Sequence, residues 1–290
     1  MTDLVDVHRL AGLGGRAPRT ERAVLDLAGG PAAAVLDLRG PARVAPTPDR
    51  EPRAPAARAT TDHAVSVDVA DDDDVLEALA SRWLTPAERA AADALGPRAR
   101  RGRIAGRVAA KRAIQANLTE IGFGHLDAVR VGITNDAHGC PVPAVRGARV
   151  ATRHLRVSIA HAAGVAVALA TTAGRTATNG PGIDVEPVEA RTHRFERLTM
   201  TPAERALEPA PGDDRDTWLT RLWSAKEAAA KSTGRGLQGR PKDFAVSRVV
   251  GHRLWIGDRW IATECVTLGD RVHIIARTEN ERTECAWHRS

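Results

Sequence analysis

The sequence predicts an α+β fold made of two similar halves, each with helices packed on a small, mostly antiparallel sheet. Two observations support this prediction. Segments with the two-residue periodicity of strands are interspersed with longer segments of helical periodicity. The hexapeptide TPAERA also occurs twice, at residues 85–90 and 201–206, and a helix with an Ala-Lys element follows each copy. We interpret this recurrence as an internal repeat.

In the first half, Thr85 and Glu88 predict a helix start, because each side chain can bind a backbone N–H of the first turn that would otherwise lack a partner. Pro86 fits the first helical position, where its missing N–H has no consequence. The remaining elements are one long basic helix and four strands, the last two of which form a hairpin around residues 162–164. They are expected at 65–69 (strand), 98–118 (helix), 129–134, 157–161 and 165–171 (strands).

The second half repeats this plan. A strand is expected over 181–188, and Thr201 and Glu204 stand in capping-box spacing. A second long helix follows at about 214–233. Two strands, at 260–266 and 271–277, complete the sheet.

Composition limits the classes of protein that this chain can be. Apolar residues make up 43% of it, which is enough for a sizeable core and excludes disorder throughout. No apolar run approaches the roughly 18 residues that a membrane span needs. The first residues lack the pattern of a signal peptide, and the three cysteines lack metal-binding spacing. We therefore expect a soluble, cytoplasmic protein.

The domain organisation follows from where the patterning begins. Residues 1–60 are rich in Pro, Ala and Arg and are expected to be a poorly ordered extension, with a small hairpin around residues 29–31 as the alternative. Residues 61–172 then form an N-terminal lobe. Residues 173–290 form a C-terminal lobe that carries the candidate metal site.

The net charge of +6 comes from 42 basic and 36 acidic residues. Only four of the basic residues are lysines, and three of these, Lys111, Lys226 and Lys231, lie in the two long predicted helices. Because most arginines of such a chain reflect coding bias, the lysines are the more informative cations.

Two carboxylates lie on one predicted strand. Side chains alternate along a strand, so Asp184 and Glu186 share one face while Ile183 and Val185 point to the core. Such a pair can hold Mg²⁺, which takes oxygen ligands and commonly binds one or two carboxylates together with phosphate. The alternative is an ordinary solvated strand face.

The second long helix adds a third carboxylate. Leu219, Leu222 and Trp223 form its buried stripe, and Glu227 and Lys231 lie one turn apart beside it. An exposed ion pair at this spacing is one interpretation. The other gives Glu227 to a metal ion and the lysines of this helix to phosphate groups.

A candidate anion site lies in the first half. Arg103, Arg107 and Lys111 fall on one face of the basic helix, at the border of its buried side, and suit the wall of a cleft that binds anions. His161 ends a strand before a glycine-containing turn. The alternatives are a solvated helix face and a histidine packed in the core.

Taken together, GIDVE at 182–186, the W-x-x-K-E-A-x-x-K element at 223–231 and the Ser-Ile-x-His strand before them resemble the 4′-phosphopantetheinyl transferases of the surfactin-synthetase type. The resemblance covers roughly residues 65–278. It implies a pseudo-twofold, two-lobed fold. It also implies an enzyme that transfers the phosphopantetheine arm of coenzyme A to a serine of an acyl- or peptidyl-carrier protein and releases 3′,5′-ADP. Such an enzyme would be a monomer.

The resemblance also implies roles for individual residues. The Mg²⁺ ligands would be Asp184, Glu186 and Glu227. The coenzyme A phosphates would be held by His161, Arg103, Arg107 and Lys111. Lys226 and Lys231 would face the pyrophosphate and the departing nucleotide. The transfer also needs a base for the serine proton, for which Glu227, directly or through a metal-bound water, is the candidate, and Lys231 is the candidate acid towards the leaving group. Ala160 and Cys140 depart from the family pattern, which often has Ser and a basic residue at these two positions.

Three other functions compete with this interpretation. The high pI of about 10.0 would suit a nucleic-acid-binding protein, but the basic residues are not interleaved with stacking aromatics. A catalytically impaired, carrier-binding homologue would have little reason to keep all three carboxylates. A different Mg²⁺-dependent phosphate enzyme is the third alternative. We expect no nucleic-acid and no membrane partner.

Overall fold

The structure is a computed structural model that describes residues 6–7, 21–22, 62–68, 73–120, 126–147, 154–172, 180–268 and 270–279. Its helices are α1 (Asp73–Trp83), α2 (Pro86–Asp93), α3 (Pro97–Glu120), α4 (His193–Thr199), α5 (Pro202–Arg205) and α6 (Arg215–Ser232). Its strands are β1 (Asp6–Val7), β2 (Glu21–Arg22), β3 (Asp62–Asp68), β4 (Val131–Asn135), β5 (Pro141–Val145), β6 (Leu155–Ala162), β7 (Val165–Thr172), β8 (Ile183–Pro187), β9 (Val246–Val250), β10 (Arg253–Ile256), β11 (Arg259–Leu268) and β12 (Arg271–Thr278).

The strands form small sheets in which every described pair is antiparallel. A five-stranded sheet has the order β8-β12-β11-β10-β9, and a three-stranded sheet has the order β3-β7-β6. Two further pairs join β4 to β5 and β1 to β2. The predicted α+β class is therefore confirmed. The hairpin considered around residues 29–31 lies outside the described residues, as does most of the N-terminal extension.

Both predicted capping boxes are present. The Thr85 side chain accepts from the Glu88 backbone N–H while the Glu88 carboxylate accepts from the Thr85 N–H, and Thr201 and Glu204 do the same for α5. The two copies then differ in length, because α2 has eight residues and α5 has four. The long helices α3 and α6 lie close to where the periodicity placed them.

The predicted β6–β7 hairpin closes through a tight turn at Ala163 and Gly164, which have φ values of 48° and 85°. Positive φ at both central residues gives the turn a twist that matches the flanking strands. The sequence patterns do not predict α1, α4, β1, β2, β5, β9 or β10, which are short or lack a clean period.

Three groups of buried apolar side chains form the core. One packs α1 and α3 against β6 and β7, and another packs α6 against β9, β10 and β11. The third packs β6 and β7 against β8 and β12. Among the described residues, no helix combines the length and the apolar character needed to cross a membrane.

Candidate functional site

The strand β8 and the helix α6 approach each other unusually closely. A Cβ added to Gly182 would overlap the backbone carbonyl oxygen of Ala228, so only glycine allows this contact. The close approach brings Glu227, the neighbour of Ala228, to the same region as the β8 carboxylates Asp184 and Glu186. We refer to Asp184, Glu186 and Glu227 as the carboxylate cluster.

Asp184 is the most buried member of the cluster, with 4% of its surface exposed. Its Oδ1 accepts a 2.6 Å hydrogen bond from Lys231 Nζ. Its Oδ2 is buried and accepts no hydrogen bond of normal geometry from the described residues, although the nearby Ser224 hydroxyl acts to lower the pKa of the carboxyl. Burial raises the pKa of Asp184 to about 6, although the charge of Lys231 opposes the rise.

Glu186 is half-buried and held from two sides. The Trp223 indole N–H donates to its Oε1 at 3.2 Å, and the Arg191 guanidinium donates to its Oε2 at 3.4 Å. Burial raises the pKa of Glu186, and the nearby charge of Asp184 raises it further. Its carboxylate therefore has a fixed orientation within the cluster.

Glu227 completes the cluster on the α6 side. Burial raises its pKa; the positive charge of Lys231 opposes the rise and the negative charge of Glu186 adds to it. Lys231 bonds to Asp184 and not to Glu227, so the exposed ion pair within the helix is not the arrangement that the structure shows. Within the described ranges, no three His, Cys, Asp or Glu side chains are arranged as a ready-made metal site.

The donor set nevertheless suits a hard divalent cation. The three carboxylates are close enough for their charges to act on one another: Glu227 raises the pKa of Asp184, Asp184 raises that of Glu186, and Glu186 raises that of Glu227. One buried oxygen of Asp184 also lacks a hydrogen bond. Carboxylate oxygens are the ligands that Mg²⁺ prefers. A cation could bind here once the ammonium of Lys231 moves off Asp184.

A cavity of about 380 Å³ lies between α3, the β4–β5 turn and β6. Its walls include basic side chains from α3, an imidazole from β6, and backbone and amide groups from the turn, contributed by Gly102, Arg103, Gly106, Arg107, Asn135, Gly139, Pro141, Ile159 and His161. We refer to it as the basic cavity. Its size and its cationic lining suit a phosphate-bearing ligand.

Two glycines of α3 let the helix pack tightly against β6. A Cβ on Gly102 would lie 3.0 Å from His161 Cε1, and one on Gly106 would lie 3.0 Å from Ile159 Cγ2. The helix therefore presents Arg103 and Arg107 to the same space as the histidine.

Arg107 is almost fully buried and donates to Asn135 Oδ1 at 2.7 Å. Burial and the neighbouring charge of Arg103 lower its pKa to about 10, so it stays protonated at neutral pH. Asn135 in turn donates to the carbonyl of Gly139 at 2.9 Å, which connects the arginine to the β4–β5 turn. Sequence analysis did not identify Asn135, because no motif singles it out.

Cys140 connects this turn to the end of α6. Its Sγ lies 3.0 Å from the carbonyl oxygen of Gly234, to which it donates, and its backbone N–H donates to Asp136 Oδ1 at 2.9 Å. Burial raises the pKa of the thiol. The residue thus forms part of the scaffold around the basic cavity and brings no charge to it.

Lys231 connects the two parts of the site electrostatically. The pKa of His161 is lowered by burial first and then by the positive charges of Lys231 and Arg103. The same Lys231 is bonded to Asp184. A ligand that extends from the basic cavity to the carboxylate cluster would therefore pass this ammonium.

The structure does not bring Lys111 and Lys226 to the site. Both side chains have 0% exposure, and their ammonium groups bind the buried carboxylates of Glu88 and Glu204 at 2.6 and 2.7 Å. Each ammonium donates to three acceptors of the protein itself, so in this structure neither group is available for the predicted contact with the phosphates of coenzyme A. The exact TPAERA repeat was the sequence signal for this arrangement, since it places both glutamates.

The structure also reveals Arg191, which sequence analysis did not identify. Its guanidinium contacts Glu186 and lies 4.9 Å from the ring centroid of Phe195, and its backbone N–H donates to Asp216. It therefore belongs to the support of the carboxylate cluster.

Comparison with known proteins gives one family match. Residues 180–267 match the family model described as the 4′-phosphopantetheinyl transferase superfamily. The matched segment includes β8 and all of α6. No curated protein matches the chain.

Two solved structures show a likeness. A holo-(acyl-carrier-protein) synthase from Bacillus anthracis str. Ames, in complex with CoA (3′,5′-ADP), is 26% identical, and the match covers 38% of this chain and 92% of that chain with a TM-score of 0.31. A holo-ACP-synthase from Plasmodium yoelii is 19% identical, and the match covers 39% of this chain and 96% of that chain with a TM-score of 0.32.

Proposed function

We propose that this protein is a phosphopantetheinyl transferase of the surfactin-synthetase type, which moves the phosphopantetheine arm of coenzyme A to a serine of an apo carrier protein and releases 3′,5′-ADP. The observation that carries the proposal is the juxtaposition of the carboxylate cluster, Lys231 and the basic cavity, with the cluster and Lys231 inside the segment that matches the superfamily.

The basic cavity would hold the nucleotide end of coenzyme A. Arg103 and His161 line it and would contact phosphate oxygens, since guanidinium and imidazole N–H groups are good donors to phosphate. Arg107 is tied to Asn135 and would act mainly through its charge. The pyrophosphate would then lie next to Lys231, on the path to the cluster.

The carboxylate cluster would hold Mg²⁺ through Asp184, Glu186 and Glu227. The buried Asp184 oxygen without a donor and the raised pKa values of all three groups support this assignment. When bound, Mg²⁺ would neutralise negative charge on the pyrophosphate as the P–O bond breaks. Lys231 would leave Asp184 and pair with the phosphate oxygens.

The transfer itself needs positioning and charge neutralisation more than a nucleophile from the enzyme. The serine hydroxyl of the carrier forms the new P–O bond, and the bond from the same phosphorus to 3′,5′-ADP breaks. The raised pKa of Glu227 suits it to accept the serine proton. Lys231 would donate a proton to the departing phosphate.

The partners follow from the reaction. The acceptor would be an acyl- or peptidyl-carrier protein, whose acidic surface would be drawn to a chain of net charge +6. We further propose that the protein acts as a monomer in the cytoplasm.

Incubation of the protein with coenzyme A, Mg²⁺ and an apo carrier protein tests the proposal, with the carrier followed by mass spectrometry. We expect the carrier to gain the mass of one phosphopantetheine group. No gain with acyl- and peptidyl-carrier proteins from several pathways would refute the transferase.

Variants then test the roles. Asp184→Ala and Glu227→Gln should each abolish transfer in a folded protein, and Asp270→Asn, which alters an exposed carboxylate elsewhere, should leave it unchanged. Transfer at the wild-type rate in either cluster variant would show that the proposed metal site is misplaced.

A further inference from the structure

The two buried lysines are bound in the same way. Lys111 Nζ lies 2.6 Å from Glu88 Oε2, and Lys226 Nζ lies 2.7 Å from Glu204 Oε1. Each glutamate is the third helical residue of a capping box, and each lysine lies on the long helix that follows. We refer to these pairs as the first and the second lysine clamp.

The correspondence extends to the backbone. Each ammonium also donates to the carbonyl two residues before the capping threonine, which is Trp83 at 2.6 Å in the first clamp and Thr199 at 2.8 Å in the second. Each donates as well to the first residue of a 3₁₀ turn, Ala128 at 3.2 Å and Pro241 at 3.3 Å.

The glutamates complete the match on the strand side. Glu88 Oε1 accepts from the Ile133 N–H of β4 at 3.0 Å, and Glu204 Oε1 accepts from the Val246 N–H of β9 at 2.8 Å. Chance similarity of a six-letter motif would not reproduce contacts among the same four segments, which are a long helix, a capped turn, a 3₁₀ turn and a strand. The two clamps are therefore equivalent parts of the two halves.

Each clamp connects one helix to a capped turn, a 3₁₀ turn and a strand. A buried ammonium must keep its partners, because an unpaired charge in the interior is very unfavourable. Rotation of the helix about its own axis would break these bonds. On α6, Glu227 and Lys231 follow Lys226 by one and five residues, and on α3, Arg107 precedes Lys111 by four.

We propose that Lys111 and Lys226 are positioning residues that fix the rotation of α3 and α6, so that Lys226 directs Glu227 and Lys231 towards Asp184 while Lys111 directs Arg107 into the basic cavity. The structural part of this inference is independent of the proposed function. Its kinetic part rests on that function.

The structural test compares crystal structures of Lys226→Met and Lys111→Met. In Lys226→Met, we expect α6 to rotate and the Lys231–Asp184 contact of 2.6 Å to be lost. Lys111→Met is the matched control, because it breaks the equivalent clamp and should keep that contact while Arg107 moves away from Asn135. An unchanged Lys231–Asp184 contact in Lys226→Met would overturn the proposal.

The kinetic test separates positioning from simple stabilisation. Lys226→Met should lower kcat for transfer by about tenfold or more with KM for coenzyme A within about threefold of wild type, since small misplacements near the reacting atoms are costly. Lys111→Met should instead raise KM for coenzyme A and leave kcat nearly unchanged. Leu76→Ala, which destabilises the core at α1, should change neither constant for the folded fraction. Equal losses in both clamp variants, in proportion to the unfolded fraction, would refute a positioning role.

If the methionine variants fail to fold, Thr85→Ala and Thr201→Ala loosen the same glutamates more gently, since each removes the hydroxyl that accepts from the glutamate backbone N–H. Thr201→Ala also removes the hydrogen bond that this hydroxyl donates to Glu204 Oε2. We expect Thr201→Ala to lower mainly kcat and Thr85→Ala to raise mainly KM for coenzyme A, both by less than the methionine variants. The absence of this difference would count against the proposal. Coenzyme A affinity is also measured by calorimetry without a carrier. A wild-type protein that neither binds coenzyme A nor transfers the arm would refute the proposed function, and the crystal structures would still decide the role of the clamps.

Discussion

Asp184→Asn should stabilise the protein while it removes the proposed activity. The carboxyl has a pKa of about 6 in the folded chain and an ordinary value of 3.8. Each pKa unit corresponds to about 1.4 kcal/mol, so ionised Asp184 weakens the fold by about 3 kcal/mol at neutral pH. This value already includes the attraction of Lys231.

The amide of the variant carries no charge and can donate to the nearby Ser224 hydroxyl. Since a buried amide that is imperfectly paired costs about 1 kcal/mol, we expect a net gain of about 2 kcal/mol in the free energy of unfolding at pH 7.5. Urea denaturation followed by circular dichroism measures it.

The pH dependence of this gain follows from the sign of the shift. Because the folded pKa of Asp184 is raised, the folded state keeps a proton that the unfolded chain releases between pH 3.8 and about 6. Wild-type stability therefore falls through this window as pH rises, and the advantage of Asp184→Asn should shrink towards zero near pH 4. Asp270→Asn, at an exposed position, serves as the control. A variant less stable than wild type at pH 7.5, or a gain independent of pH, would refute the reasoning.

Three further substitutions test the packing around the site. Gly182→Ala places a methyl group on a backbone carbonyl of α6 and should cost more than about 4 kcal/mol, seen as loss of soluble folded protein. Gly102→Ala brings a Cβ to 3.0 Å from His161, and should weaken coenzyme A binding about fivefold in calorimetry while stability changes by less than about 1 kcal/mol. Arg221→Met leaves the buried Asp213 carboxylate without its bidentate partner, and should lower the unfolding free energy by about 3–5 kcal/mol in urea titrations.

Gly96→Ala is the matched control for the Gly102 substitution, because a Cβ at this position meets nothing within 4 Å. Equal coenzyme A affinity in the two alanine variants would contradict the role given to the close contact with His161. An Arg221→Met variant as stable as wild type would likewise show that Asp213 finds another partner.

Sequence reasoning predicted the elements with strong local signals. The capping boxes at Thr85 and Thr201, the long helices and the β6–β7 hairpin follow from interactions between residues close in sequence, and the structure contains them. It missed the helix α1, which has 11 residues, and the edge strand β9. Their formation depends on packing against distant parts of the chain, for which a local pattern carries little signal.

For the site, the sequence alone specified the chemistry of the candidate residues: three carboxylates, a histidine and a basic helix, in spacings that resemble one family. It did not determine the partner of each charge. From the sequence, the three lysines of the two long helices are equally suited to bind phosphate. In the structure, Lys111 and Lys226 pair with buried glutamates, and Lys231 pairs with Asp184. Burial decides this outcome, because an ammonium removed from water must find a carboxylate. Which carboxylate it finds depends on residues more than 20 positions away, which only the tertiary structure brings into contact.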